Sequence, residues 1–216
     1  VSAPAESTPS ATEATATDPP VTAEPASTAP PASTAAEDVI GPESVLIESA
    51  SVAPEWLATL VQGGTGEDPA MPPHLLLTFV DPDDAGASPA APDSIDLTRP
   101  QVRIIPIAAL LSLLEQRGDE AGTRALNELL LLLERRPDTD QTAIPVPPLL
   151  GDATQNFVVQ AGYKAFGGGS GIGYLTNITA DDALPVTNEG GLNYIYQGVT
   201  ADGKQYVFMA WPVDAA

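Results

Sequence analysis

Few residues in this chain could carry chemistry, and their types narrow what that chemistry is. His74 is the single imidazole of 216 residues, so any Ser–His–Asp catalysis would have to run through it, partnered by one of many Ser and Asp residues. It follows Met71-Pro72-Pro73 at the mouth of an apolar run, a setting that suits a structural hydrogen bond at least as well. The absence of Cys excludes thiol nucleophiles, disulfide frameworks, iron–sulfur clusters and Cys-ligated zinc. A lone His excludes a multi-His metal centre within one chain. No set of residues is nominated as catalytic, and neither a cofactor nor a metal is implied.

Four local patterns come near to known motifs. Gly198-Val199-Thr200-Ala201-Asp202-Gly203-Lys204-Gln205 almost spells a phosphate-binding loop, but Gln205 stands where a hydroxyl must meet magnesium. Its surroundings read as strand–turn–strand, and Asp202-Gly203 is a strong hairpin signal. Gly167-Gly168-Gly169-Ser170-Gly171-Ile172-Gly173 fits neither a dinucleotide fingerprint nor a nucleophile elbow, and reads as a flexible or tightly turned connection between strands. Asp81, Asp83 and Gly86 occupy positions 1, 3 and 6 of a calcium loop. Ala85 and Pro92 break that loop at positions 5 and 12, so Asp81, Asp83 and Asp84 read as a solvated acidic turn, with a weak cation site as the alternative. Asn177-Ile178-Thr179 matches a glycosylation sequon, a triplet that also arises by chance.

The elements that must position these residues follow from periodicity. Leu75–Val80 is a compact apolar run between Pro72-Pro73 and Asp81-Pro82, and predicts a buried strand. Gln101–Ile105 predicts another, leading into Pro106, which suits the start of a helix because its missing N–H would be unpaired there anyway. Leu110, Leu111, Leu113 and Leu114 form the apolar face of that helix, and Gly118 stops it. Asp119 caps a second helix to about Arg136, striped by Ala125, Leu126, Leu129, Leu130 and Leu133 and ended by Pro137. The run Leu129–Leu133 predicts cover on more than one side of it. Phe157–Phe166, Ile172–Ile178, Leu192–Val199 and Gln205–Val213 are four β-type runs that hold all five tyrosines. Ser44–Ile47 and Trp56–Val61 are weaker strand or turn signals. The expected fold class is α+β: an antiparallel meander with two leucine-rich helices on one face.

Charge divides the chain. The net charge is -21, and residues 1–98 contribute -16 of it because the first base is Arg99. Residues 1–38 are almost wholly Ala, Ser, Thr, Pro and acids, and no aromatic precedes Trp56. Such a segment buries too little apolar surface to offset backbone ordering of about 1–2 kcal/mol per residue. Residues 1–42 are therefore expected to be a disordered, extended acidic tether, with residues 43–216 as one α+β domain. The acidity argues against nucleic acid, which needs cations to neutralise phosphate. No apolar run is long enough for a transmembrane helix. The chain begins at Val1 without a basic-then-apolar leader, so any export signal or lipid anchor is expected upstream.

Three stretches carry a resemblance: Gly169-Ser170-Gly171-Ile172-Gly173-Tyr174-Leu175-Thr176, Leu184-Pro185-Val186-Thr187-Asn188, and Tyr194 through Val207 with its Gln197-Gly198 and Asp202-Gly203-Lys204. Together with Pro73-His74-Leu75 and Gln101–Pro106, they resemble an uncharacterised domain of secreted proteins and lipoproteins from filamentous, Chloroflexi-type bacteria. The likeness spans most of residues 44–213. It implies an extracellular or cell-surface location and no reaction. The sequence thus points to a non-enzymatic, surface-exposed or secreted envelope module with a protein or envelope component as partner. The alternative is an extracytoplasmic hydrolase using His74 and nearby carboxylates.

Overall fold

The computed structural model describes residues 57–64, 70–83, 88–140, 142–166, 168–179 and 191–213. The expected tether, the Ser44–Ile47 run, Asp84 and Gly167 lie outside these residues. Seven strands form one sheet: β1 (Leu57–Gly63), β2 (His74–Val80), β3 (Gln101–Pro106), β4 (Thr154–Phe166), β5 (Gly169–Thr179), β6 (Asn193–Thr200) and β7 (Gln205–Pro212). Their spatial order is β1-β2-β3-β7-β6-β5-β4, and every neighbouring pair is antiparallel. The sheet is therefore two meanders, of three and four strands, joined where β7 returns to lie beside β3. The protein is α+β, because the chain makes its two helices consecutively, between β3 and β4.

Helix α1 (Ile107–Arg117) starts one residue later than Pro106 alone predicts. Pro106 keeps a strand-like ψ of 125° and completes β3, so Ile107 is the first helical residue, its N–H donating to the Lys204 carbonyl at 2.8 Å. Gly118 stops the helix in the left-handed conformation (φ 63°). Asp119 then caps α2 (Glu120–Arg135) by accepting the Gly122 N–H at 2.7 Å. Arg136 ends α2 with φ 47° and lies 5.8 Å from the centre of the Tyr163 ring, a cation–π contact that recruits β4 to the helix end. Leu129, Leu132 and Leu133 are buried, but Leu131 is exposed, so the leucine run is covered on only part of its circumference.

Both helices lie on one face of the sheet. Their Leu110, Leu114, Leu126 and Leu129 meet Ile105, Tyr206, Phe208, Ile195 and Ile172 from four adjacent strands, all buried. Each such leucine contributes about 1.5–3 kcal/mol by leaving water. The Asp202-Gly203 hairpin forms as its sequence demands. Gly203 has φ 70°, and the Asp202 carboxylate accepts from the Thr200 hydroxyl at 2.6 Å and from the Lys204 N–H at 3.1 Å. No phosphate loop exists there, since β7 follows and not a helix.

The glycine-rich run corrects the expectation of a flexible connection. Gly169–Gly173 is the first half of β5, and the period of two puts Gly169, Gly171 and Gly173 on one face with Ser170, Ile172 and Tyr174 on the other. The bare face is occupied by aromatic side chains from neighbouring strands: Phe166 over Gly169, Tyr196 over Gly171 and Gly198, and Tyr194 over Gly173. Glycine is required because the rings lie where side chains would stand. Gly171→Ala is therefore expected to destabilise the protein by about 1–3 kcal/mol, because the new methyl meets the Gln197 carbonyl and the Tyr196 ring. Gly162→Ala in β4, with open space around it, should change stability by less than about 0.5 kcal/mol. Thermal melts of both variants check this, and equal losses would refute the packing account.

Candidate functional site

His74 sits at the start of β2, fully buried, with both ring nitrogens engaged. Nδ1 is 2.8 Å from the Pro72 carbonyl, and Nε2 is 2.8 Å from Nη1 of Arg103. A guanidinium can only donate, so Nε2 accepts and the proton is on Nδ1, donated to Pro72. Gly63 of β1 leaves the room that the ring fills. Among the described residues no hydroxyl or carboxylate is hydrogen-bonded to His74, so it lacks the orienting acid and the nucleophile of a triad. The expected structural hydrogen bond is present.

Arg103 was not nominated by its sequence position, yet it organises this region. It is a fully buried arginine at the centre of β3, and each of its five N–H groups has an acceptor. Nε donates to Gln101 Oε1 at 2.8 Å, and Nη1 to His74 Nε2 and to the Pro92 carbonyl at 2.9 Å. Nη2 donates to the carbonyls of Ala91 at 2.7 Å and Ser94 at 2.5 Å. Gln101 extends the grip through Nε2 to the Asp96 carbonyl at 2.6 Å. The segment 91–96 is thereby fastened over β2 and β3. Burial draws the Arg103 pKa down to about 10, partly offset by the exposed Asp93, so the group stays cationic at neutral pH. The charge is thus solvated by peptide carbonyls in place of water.

A second polar knot lies deeper in the same layer. Gln197 donates to the Tyr174 hydroxyl and to the Pro145 carbonyl, both at 2.8 Å, and accepts from the Tyr206 hydroxyl at 3.0 Å. Burial raises the pKa of both tyrosines, so they stay neutral donors and acceptors. These groups hold α-side segments to the sheet and present nothing to a solute.

The opposite face is different. Leu77, Val102, Ile104, Val207, Met209 and Trp211 share it by pairing register, and each is only half-buried. Aromatic rings run across it. Phe166 meets Tyr196 edge-on at 6.0 Å, Tyr194 pairs with Trp211, and Trp211 meets Phe79 at 5.3 Å. No described helix covers this face. It is the feature best placed to meet another molecule.

The remaining sequence candidates fall outside it. Asp81 accepts the Asp83 N–H at 2.9 Å in an exposed turn, while Asp84 is outside the described residues. Asn177 of the sequon is buried, donating to the Gly191 carbonyl at 2.6 Å and hydrogen-bonded to Asn156, so the folded chain does not offer it for glycosylation. No protein-family model, curated protein or solved structure matches this chain. Among the described residues no helix is long and apolar enough to cross a membrane.

The cluster makes two outcomes measurable. Burial, joined by the Arg103 charge, lowers the His74 pKa below its ordinary 6.5, against the opposing pull of the Pro72 bond and of Asp93. The unfolded chain thus takes up a proton near pH 6.5 that the native chain refuses, so stability present above this pH is lost as pH falls through it. Melting temperatures from pH 7.5 to 5.5 should drop more steeply for the wild type than for His74→Gln, and parallel profiles would refute the linkage. Arg103→Lys keeps the charge but loses the planar fork and two donors, and is expected to cost about 2–4 kcal/mol by denaturant unfolding.

Proposed function

We propose that this chain is a non-catalytic binding module, exported and displayed at or beyond the cell surface, which takes a protein or envelope component as its partner. The observation that carries this reading is the sheet face that no described helix covers, where Leu77, Val102, Ile104, Val207, Met209 and Trp211 stay partly exposed opposite a built core. The polar groups of the interior support it, because His74, Arg103 and Gln197 are spent on holding segments together. Display on a tether rests on residues 1–42, whose Pro, Ser, Thr and acid composition suits an extended, solvated spacer. The resemblance to secreted and lipoprotein domains supports the location.

Two measurements test the proposal. Met209→Lys places a charge on the uncovered face without entering the core, so it should leave the fold intact and weaken cosedimentation with isolated cell envelopes by about tenfold. Unchanged cosedimentation would remove this face from the function. A screen of ester, peptide and glycoside substrates should show no turnover. Hydrolysis that disappears in His74→Ala would overturn the non-catalytic reading.

A further inference from the structure

The hold on residues 91–94 converges on one side chain. Ala91, Asp93 and Ser94 are exposed and Pro92 is half-buried. Ala90 before them is buried, and Ile95 after them packs against the core. Among the described residues these four are hydrogen-bonded to the fold only through the carbonyls of Ala91, Pro92 and Ser94, and all three accept from Arg103. Nη1 of Arg103, which serves the Pro92 carbonyl, also donates to Nε2 of His74 at 2.8 Å. The guanidinium is cationic at neutral pH and below, so this contact exists only while the imidazole is neutral. A proton on Nε2 removes the accepting lone pair and sets two cations at hydrogen-bond distance.

Few other charges bear on the pair. β1, which meets the ring through Gly63, contains none, and neither does Met71-Pro72-Pro73. Asp96 turns its carboxylate to the Thr98 hydroxyl at 2.6 Å and to Arg99 at 3.8 Å, and Arg117 reaches the Ala70 carbonyl. Among the described carboxylates only Asp93 acts on the ring, and it belongs to the exposed segment itself.

We propose that the His74–Arg103 contact is an acid-sensitive latch: a proton on Nε2 of His74 frees residues 91–94 from β3, hinged at Ala90 and Ile95, while the sheet and both helices stay folded. Burial, and after it the Arg103 charge, disfavour the proton in the closed arrangement, and the Pro72 bond and Asp93 offset them only in part. Opening relieves both, so it takes up a proton and is favoured as pH falls through about 6.5. The release is local because the segment buries little apolar surface of its own, whereas the helices are held by leucines that do not titrate.

The latch does not depend on what the outer face binds. Hydrogen exchange in the full chain, followed by NMR, tests it at Nε–H of Arg103, which donates to Gln101 Oε1 inside the cluster. Its protection relative to intrinsic exchange should be lower than that of the β3–β7 ladder amides at every pH. It should fall about tenfold or more between pH 7.5 and 5. In His74→Gln, whose amide does not titrate, Arg103 protection should stay level over the same range. Protection of Arg103 equal to that of the ladder amides would mean global unfolding and overturn the latch. A pH-independent protection in the wild type, or the same fall in His74→Gln, would overturn it too. The wild-type comparison decides by itself if His74→Gln does not fold.

Discussion

A positive charge held without water is the constraint around which the β2–β3 half of this protein is arranged. Arg103 is fully buried, and among the described residues no carboxylate lies in hydrogen-bond contact with it. Its cost is met by spreading five donors over a side-chain amide, an imidazole and three peptide carbonyls. Each acceptor must then be fixed in place, which explains several features at once. His74 must be the Nδ1–H tautomer, Gly63 must lack a side chain, and segment 91–96 must turn its carbonyls inward. An irregular segment becomes a defined cover for the sheet because a guanidinium satisfies its backbone.

The four-stranded half solves a different problem by a different device. There the helix-covered face is filled by leucines against Ile172, Ile195 and Phe208, with Gln197 tying two tyrosines to the Pro145 carbonyl. No described helix lies on the other face, and glycines in β5 leave room for tyrosine rings over the backbone. On this side Trp211 and Tyr194 stay partly exposed, while Phe79 and Tyr196 are buried. Tyr194 and Tyr196 lie on this face, and burial raises the pKa of both.

Much of this could be read from residue order. Both helices, their Gly118 and Asp119 boundaries, the Asp202-Gly203 hairpin and the four C-terminal strands follow from local rules with short range: left-handed glycine, side-chain capping and alternation. The glycine run departs from its local expectation for a physical reason. Conformational freedom is a property of an isolated glycine, whereas its role in β5 is to leave space for Tyr194 and Tyr196 from another strand. Arg103 was hidden for a related reason. In Gln101-Val102-Arg103-Ile104-Ile105 the alternation suggests a polar face toward water and an apolar face toward the core. The structure buries Gln101 and Arg103 with Ile105 and leaves Val102 and Ile104 half-exposed.

The sequence by itself determined the elements, the class of fold and the chemistries that cannot occur, because cysteine count, charge and local periodicity need no partner to act. Tertiary structure decided which face of each strand is the core. That choice depends on where two helices and one segment come to rest, and a hydrogen-bonded guanidinium can be buried as readily as a leucine once its acceptors converge. It also decided that His74 is internal scaffolding and that no described helix covers the aromatic face.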